Sequence, residues 1–463
     1  MTRHASVLRP VRRRALLLHL SHGRSARFGP SVLLVLTLGM LATGRWGSYV
    51  QAPGLPFYVG DVLLAVAATT FMVNRVRGTE NLAPLRAAPW ALRFALLLLL
   101  WSVVRFATRL DIALVDLRDF APYAYAGTAA LAFLMPVAAR PWTSRLAYGA
   151  LTFHAAWFIA VAVGWIDNTR TPRLGPSGVA LFTTRPDFDA AVFAIAIGLA
   201  LHALLLTPRR PRPPTTALLV LFVGVNAWGV ASEHTRAGLI ATAVVLASVA
   251  LAWIVDRSRR LGQAGTLVRW GPPAVAVAVG VALCVLALIF TLPGQRLLDG
   301  LNGTKGESAG TANARVYVYE NLSEYLLEDP LRTTVGVGFG PNFLEASGTL
   351  EALQGSTYTD VRSPHNYVLG TWARLGVVGA LLAVLMLAFG AWLGLRHLWH
   401  TRDTVDVLAA LVLIALPVPA MLGVILESPF GALPYFWALG QLSARRIRLR
   451  VHSPADGDLV DSP

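Results

Sequence analysis

The chain has few charged residues and almost no cysteine. Only 14% of its 463 residues are charged, whereas 55% are hydrophobic, and the mean hydropathy is +0.57. A soluble domain carries about a quarter charged residues, so this composition excludes an ordinary soluble protein and indicates a membrane protein. The single cysteine, Cys284, lies inside an apolar run, which excludes a disulfide framework and a cysteine metal site.

Sequence patterns typical of metal and nucleotide sites are also missing. No pair of carboxylates stands beside a histidine, and neither H-x-x-x-H nor C-x-x-C occurs. The stretch GVGFGPNF, which begins at Gly336, has Pro341 where a G-x-G-x-x-G nucleotide loop has its third glycine. We therefore expect no metal and no cofactor.

Long apolar runs are abundant, and each of about 17 to 25 residues predicts a membrane helix. The predicted fold class is an all-α polytopic membrane protein with about 12 transmembrane helices. The predicted spans lie near Pro30–Thr43, Phe57–Val73, Trp90–Ala107, Phe120–Ala138, Leu146–Ile166, Phe188–Leu206, Thr216–Ala231, Ala237–Val255, Pro272–Leu292, Tyr367–Leu395, Val405–Leu426 and Phe430–Ser443.

The basic residues predict the orientation of these helices. With both termini in the cytoplasm, 26 of the 40 basic residues fall inside, 13 fall outside, and Arg374 lies within a span. This is the positive-inside pattern, so the net charge of +15 reflects membrane orientation and we expect no nucleic-acid partner. The N-terminal segment has a short apolar core and no small-residue cleavage site, so we interpret it as a tail rather than a signal peptide.

The predicted domains follow from this topology. One extracytoplasmic loop, hereafter the long loop, stands out between spans 9 and 10. The predicted divisions are a basic cytoplasmic tail at residues 1–29, transmembrane helices 1–9 at 30–292, the long loop at 293–364, transmembrane helices 10–12 at 365–443, and a cytoplasmic tail at 444–463.

The long loop contains one predicted amphipathic helix, NARVYVYENLSEYLLEDP. Its apolar residues recur at helical intervals, and Pro330 closes the run. Arg315 stands at the predicted start of this helix, where it is either a solvated surface residue or a ligand for an anion. The predicted apolar positions are Val316, Tyr319, Leu322 and Leu326.

Two outer helix ends carry the other polar candidates. The turn SEHTRAG places His234 and Arg236 at the predicted membrane surface. Arg236 either extends to lipid phosphates or faces a cavity, where the positive end of the helix dipole would help it bind an anionic headgroup. His234 and His365 are the only histidines on the predicted outer side. Glu427, in ILESPFG, is a candidate general base or hydrogen-bond partner.

The segment HNYVLGTWARLGVVG has a distinctive spacing. His365 and Asn366 are followed by nine residues, then Gly376, two further residues and Gly379. This pattern resembles the signature of the O-antigen ligase and polymerase superfamily. The packing hypothesis for the two glycines is that they share one helix face and let a neighbouring helix approach closely.

The wider layout is similar to that family as well. Arg236 begins a mid-chain helix, and the long loop has an Arg315…Asp329-Pro330…Gly336 pattern ahead of the histidine helix. Ile240 stands where the family usually has Leu. The role of Arg374 stays open, and the R-x(10)-G repeats typical of polymerases are missing, which favours a ligase slightly.

The resemblance implies a membrane glycosyltransferase that needs no metal. Its donor would be a glycan on a polyprenyl diphosphate carrier, and its acceptor a hydroxyl of the lipid A core or another envelope glycan or lipid, on the outer face of the bacterial inner membrane. His365 would accept the proton of that hydroxyl, while Arg236 and Arg315 stabilise the leaving diphosphate. The expected substrate-binding residues are Asn366, Arg374, His234 and Glu427.

Three alternatives remain at this stage. The first is a polysaccharide polymerase that uses the same donor and chemistry. The second is a transporter or lipid flippase, since 12 spans are also common in transporters. The third is an enzyme of the same fold that transfers glycan to protein. The position of the polar residues, at one predicted surface rather than at mid-membrane, favours glycosyl transfer over transport.

Overall fold

The fold is described from a computed structural model, and it is mainly helical. The described residues are 28–51, 58–78, 83–109, 111–138, 140–175, 177–207, 211–233, 235–260, 307–352 and 362–451. The predicted ninth span, Pro272–Leu292, and His234 lie outside them.

Helices account for nearly all of the secondary structure. The helices before the long loop are α1 (Phe28–Gly47), α2 (Val59–Val76), α3 (Trp90–Ala107), α4 (Leu114–Ala124), α5 (Gly127–Leu134), α6 (Pro141–Ala162), α7 (Pro186–Leu206), α8 (Pro213–Glu233) and α9 (Arg236–Arg260). The helices of the long loop and after it are α10 (Glu307–Leu327), α11 (Pro330–Val335), α12 (Phe343–Ala346), α13 (Thr349–Ala352), α14 (Tyr367–Leu398), α15 (Thr404–Ala415), α16 (Pro417–Ala420) and α17 (Pro429–Val451).

Short irregular elements join some of these helices. A two-stranded antiparallel hairpin, β1 (Arg173–Leu174) and β2 (Val179–Ala180), lies between α6 and α7, with Arg173 opposite Ala180. Three 3₁₀ turns complete the described elements: Ala83–Ala87, Asn168–Arg170 and Ile425–Glu427.

Eight helices in the described part of the chain are long and apolar enough to cross a membrane: α1, α2, α3, α6, α7, α8, α9 and α14. The chain is therefore an all-α, multi-pass membrane protein. Two predicted spans are divided between separate elements, and a third, Tyr367–Leu395, is kinked at Gly376. The predicted span Phe120–Ala138 is divided between α4 and α5, and α15 ends before Pro417, whose missing N–H cannot continue a helix. The predicted count of twelve stays a prediction.

The core lies around α7, α15 and α17. Every residue of α15 from Val405 to Ala415 is buried, and α7 is buried along most of its length. A helix that is apolar all round is stable only when neighbours surround it, and α8, α9 and α15 pack against α7 in this way. This packed centre supports the loops at the helix ends.

The long loop packs onto the first turns of α14. Val318, Leu322 and Leu326 on α10 are buried in one apolar cluster with Phe343 of α12 and Ala373 of α14. The predicted helix is confirmed, but two details were wrong. Val316 is 53% exposed, so Val318 occupies the buried face instead.

Helix α10 also begins earlier than the sequence predicted. It starts at Glu307, so Arg315 lies in its third turn rather than at its start. Pro330 opens α11, where the Asp329 side chain accepts a hydrogen bond from the Leu331 N–H as an N-cap.

A kink at Gly376 interrupts α14. Gly376 has a φ of 70°, a conformation that favours glycine, so the carbonyls before it are not used within the helix. The long loop satisfies two of them: Val337 N donates to Ala373 O at 2.8 Å, and Gly338 N donates to Arg374 O at 3.0 Å. The glycine-rich stretch of the loop therefore docks directly on the kink.

The backbone approach at this kink explains the glycine spacing. A side chain at Gly376 would overlap the carbonyl of Thr334, and one at Gly336 would overlap the backbone of Arg374. The packing hypothesis was therefore wrong, because it predicted that a neighbouring helix approaches these glycines. The loop backbone approaches Gly376, and a side chain at Gly379 would meet Leu375 of the same helix.

Candidate active site

A cavity of about 410 Å³ opens where α1 ends, beside α4, the segment before α14 and the turn before α17. Its lining is rich in arginine and contains three residues that the sequence singled out, His365, Arg374 and Glu427. The lining residues are Arg45, Tyr49, Arg118, Asp119, Pro122, Tyr123, Phe343, Arg362, Ser363, His365, Gly370, Arg374, Val424, Glu427 and Ser428.

His365 is held in a strained backbone conformation at the edge of α14. Its φ of 57° lies in the left-handed region, which costs free energy for a residue with a Cβ. Its N–H donates to Ser363 Oγ at 3.2 Å, and its carbonyl accepts from the Tyr319 hydroxyl at 3.4 Å. The long loop and the start of α14 thus fix the position of the imidazole jointly.

The surroundings of His365 favour its neutral form. Burial lowers the pKa of the imidazole most, and the positive charges of Arg185 and Arg315 lower it further. A backbone hydrogen bond to Ser363 and the charge of Asp187 act in the opposite direction. A neutral imidazole at pH 7 is able to accept a proton.

Asn366 caps the helix that follows. Its side-chain oxygen accepts hydrogen bonds from Val368 N and Leu369 N, both at 3.0 Å, which satisfies two N–H groups of the first turn. Its side chain also contacts Tyr319 of α10. Asn366 therefore positions His365 through the backbone.

Asp119 connects three parts of the chain beneath the cavity. The carboxylate is almost fully buried, and its Oδ2 atom accepts from Arg374 at 2.8 Å, from Arg362 at 3.0 Å and from Gly340 N at 3.1 Å. Charge-assisted contacts of this kind are strong when they are desolvated. They tie α4 to the glycine-rich stretch and to α14.

Arg374, whose role the sequence left open, lies in this network. It is 6% exposed, and its guanidinium lies 4.9 Å from the centre of the Phe343 ring, a cation–π distance. It also donates weakly to the carbonyls of Gly338 and Pro341 at 3.4 and 3.5 Å. These contacts give it a structural role at the base of the cavity, and a substrate contact stays a prediction.

Glu427 is the second carboxyl group of the cavity. Within the described part of the chain, its Oε1 atom is buried without a hydrogen-bond partner. Burial raises the pKa of Glu427 to about 7, although a hydrogen bond from Ser363 and the charge of Arg374 oppose the shift. Near neutral pH this carboxyl group is therefore only partly ionised.

The two predicted catalytic arginines lie in different places. Arg315 is half-buried on α10, close enough to lower the pKa of His365, although it is not one of the cavity-lining residues. Arg236 begins α9, as the sequence predicted, and it does not line the cavity either. His234 lies outside the described residues.

Several site residues were missed by sequence reasoning. Asp119 and Arg362 meet across 243 positions, so no local pattern could have paired them. Arg185 acts on His365 from the start of α7, and its guanidinium pairs with Asp187 at 2.9 Å. The predicted topology was the one feature of the sequence that related them, because it placed Asp119, Arg185 and Arg362 on the same predicted side of the membrane as His365.

Metal-ligating residues do not gather in the described ranges: no group of three or more His, Cys, Asp or Glu side chains there could hold a metal ion.

A family model described as O-antigen ligase matches residues 221–384. Residues 221–384 are therefore similar to an O-antigen ligase domain. The match confirms the resemblance that the His365 to Gly379 spacing predicted. The matched region contains Arg236, Arg315 and the α14 kink, whereas Asp119 and Glu427 lie outside it. A search of curated proteins finds no match.

The matched domain indicates a glycosyltransferase-like enzyme with O-antigen ligase or polymerase function. The apolar helices and this match together point to glycan or lipid substrates at a lipid bilayer.

Proposed function

We propose that this protein is an O-antigen ligase that transfers a glycan from a polyprenyl diphosphate carrier to an acceptor hydroxyl. The acceptor would be a lipid A core or another envelope molecule, and the site would face outward from the bacterial inner membrane. The observation that carries the proposal is His365, held neutral in an arginine-lined cavity with Arg315 nearby.

The reaction needs a base and a cation. A nitrogen of His365 accepts the proton of the acceptor hydroxyl as its oxygen attacks the anomeric carbon of the donor sugar. The bond between that carbon and the diphosphate oxygen breaks, and the electron pair leaves with the diphosphate. The glycan is thereby joined to the acceptor, and the carrier is released as the lipid diphosphate.

The leaving diphosphate gains negative charge, which arginine is suited to stabilise. Its planar guanidinium binds phosphate oxygens in pairs and keeps its proton. Arg315 has no ion-pair partner among the described residues, whereas the nearby Arg185 is held by Asp187. We therefore assign the main stabilising charge to Arg315, with Arg185 assisting. In this mechanism guanidinium groups supply the charge that a metal provides in other transferases.

The proposed role of Arg236 has a different basis from that of Arg315. It lies at the N-terminus of α9, where the helix dipole favours a bound anion. Its role rests on the family motif, because the cavity lining does not include it.

The proposal is tested by His365→Ala, Arg315→Ala and Arg236→Ala in the native host. Each variant should abolish attachment of surface glycan while the protein still inserts at normal levels. Arg170→Ala is a matched control, because the Arg170 side chain is 87% exposed and its one ion-pair partner in the described part of the chain is Asp167. Wild-type surface glycan from the His365 variant would overturn the mechanism.

A polymerase is the second candidate, because the family match supports both functions. The lipid-linked glycan that accumulates in a deletion strain separates them. Long unattached chains indicate a ligase, and single repeat units indicate a polymerase.

A further inference from the structure

The cavity contains more positive than negative groups. Four arginines line it, and they face only two carboxyl groups, those of Asp119 and Glu427. The Oδ2 atom of Asp119 already forms ion pairs with two of the arginines, Arg362 and Arg374. The four arginines are Arg45, Arg118, Arg362 and Arg374.

The two remaining arginines come from elements far from the family motifs. Arg45 lies at the end of α1 and is half-buried, and Arg118 lies on α4, where it is exposed. Nothing in the described ranges places a carboxylate within ion-pair distance of either guanidinium. Tyr49 lines the cavity with them.

The charged groups that line the cavity have a positive sum. With both carboxyl groups ionised, two positive charges are uncompensated, and the pKa of about 7 at Glu427 makes that a lower limit near neutral pH. An uncompensated charge on a half-buried residue such as Arg45 is unfavourable unless a counter-charge enters, and the exposed Arg118 adds a second positive charge to the same cavity lining. An oxyanion is the ligand that guanidinium groups bind best.

We propose that Arg45 and Arg118 form an oxyanion subsite that binds a phosphate or carboxylate group carried by one of the two substrates. The identity of those substrates rests on the proposed function, whereas the binding of an anion does not. Both residues lie outside the matched family domain, so the family match does not assign this subsite.

The subsite is separate from the arginines beside the reacting centre. The cations that act on His365 are Arg185 and Arg315, and neither Arg45 nor Arg118 is among its main electrostatic neighbours. The diphosphate that leaves the anomeric carbon must lie close to His365. A second anionic group at Arg45 and Arg118 therefore belongs to a more distant part of the substrate, such as an acidic sugar or a sugar phosphate.

The test measures anion binding to the purified full-length protein in detergent. The two probes are glucose 6-phosphate, which represents an anionic sugar, and inorganic pyrophosphate, which represents the carrier. The variants are the double substitution Arg45→Gln/Arg118→Gln, its counterpart with Lys at both positions, Arg315→Gln, and the surface control Arg170→Gln. Titration calorimetry gives the affinities, and size-exclusion chromatography confirms that each variant is folded.

The double Gln variant should bind glucose 6-phosphate at least about tenfold more weakly, because each charge-assisted contact is worth about a factor of ten or more. The double Lys variant keeps both charges but not the planar guanidinium groups, so its affinity should lie between those of the wild type and the double Gln variant, and Arg315→Gln should weaken binding of pyrophosphate instead. If the double Gln variant loses pyrophosphate rather than the sugar phosphate, the subsite stands and its anion is the carrier's.

Wild-type affinity of the double Gln variant for both probes would overturn the subsite. This result is separable from failure of the proposed function, because binding is measured without turnover. The catalytic proposal fails instead if glycan transfer is independent of His365.

Discussion

His365 combines two unusual features, a left-handed backbone and a neutral imidazole beside two arginines. The first is maintained by the hydrogen bonds of Ser363 and Tyr319. The second follows from burial and from like charge, both of which disfavour the imidazolium ion. Together they describe a base that is held in place and kept unprotonated.

The pH dependence of transfer tests this description. Because the pKa of His365 is lowered, the neutral base persists below the ordinary value of about 6.5, and kcat/KM should fall only at lower pH. Arg315→Gln removes one charge that lowers the pKa, so the His365 imidazole, titrated by NMR in the purified variant, should take up its proton at higher pH. Arg170→Gln should leave this titration unchanged. An unchanged His365 titration in the Arg315 variant would contradict this electrostatic coupling.

The buried ion pairs of Asp119 lead to a second prediction, on the stability of the protein. Asp119→Ala leaves Arg362 and Arg374 without their shared buried partner, and removing one member of a buried pair costs about 3–5 kcal/mol. Adding Arg374→Met should restore part of the loss, because one uncompensated charge is removed.

The measurement for Asp119 is thermal unfolding in detergent, followed by tryptophan fluorescence. The control is Arg170→Ala, which breaks the exposed pair with Asp167 and should change stability by less than about 1 kcal/mol. Equal stabilities of the Asp119 and Arg170 variants would contradict a structural role for this network.

At the scale of elements, the kink of α14 joins the long loop to the membrane helices. Its freed carbonyls are bonded by Val337 and Gly338, and Trp101 of α3 donates to the carbonyl of Leu375 at 2.8 Å. Three separate parts of the chain therefore meet at one interrupted helix turn. The position of His365, at the start of the same helix, depends on this junction.

Gly376→Ala should destabilise the protein by more than about 2 kcal/mol. A left-handed residue with a Cβ costs about 1–2 kcal/mol, and the added methyl group would also overlap the Thr334 carbonyl. Gly149→Ala is the matched control, since its helical site has open space and alanine favours a helix by up to about 1 kcal/mol. Both are measured as shifts in the melting temperature, and equal melting temperatures would contradict the account of the kink.

The sequence predicted elements better than it predicted their junctions. The bounds of α3 and the start of α9 at Arg236 follow from local apolar runs and were found as predicted. The kink could not be predicted, because it accompanies the docking of the glycine-rich stretch of the long loop on this turn, a contact between segments that are far apart in sequence. The partnership of Asp119 with Arg362 was also hidden, because it depends on how distant helices pack.

At the scale of the whole molecule, the described helices establish a multi-pass protein, and the side on which the cavity opens is a prediction from the arginine distribution. Cysteine labelling tests it in a Cys284→Ser background. Glu328→Cys, in the long loop, should react with a membrane-impermeant maleimide in cells whose inner membrane is intact. Arg77→Cys, at the end of α2, should react only after lysis. The reverse pattern would place the cavity on the cytoplasmic side.

The central claim is that the cavity transfers a glycan from a lipid diphosphate by means of His365. The most direct measurement reconstitutes the purified protein in lipid vesicles with a polyprenyl diphosphate-linked glycan and an acceptor, and quantifies both products. The account predicts that glycosylated acceptor and free polyprenyl diphosphate form in equal amounts, and that His365→Ala forms neither. Equal amounts of product from the wild-type protein and the His365 variant would contradict it.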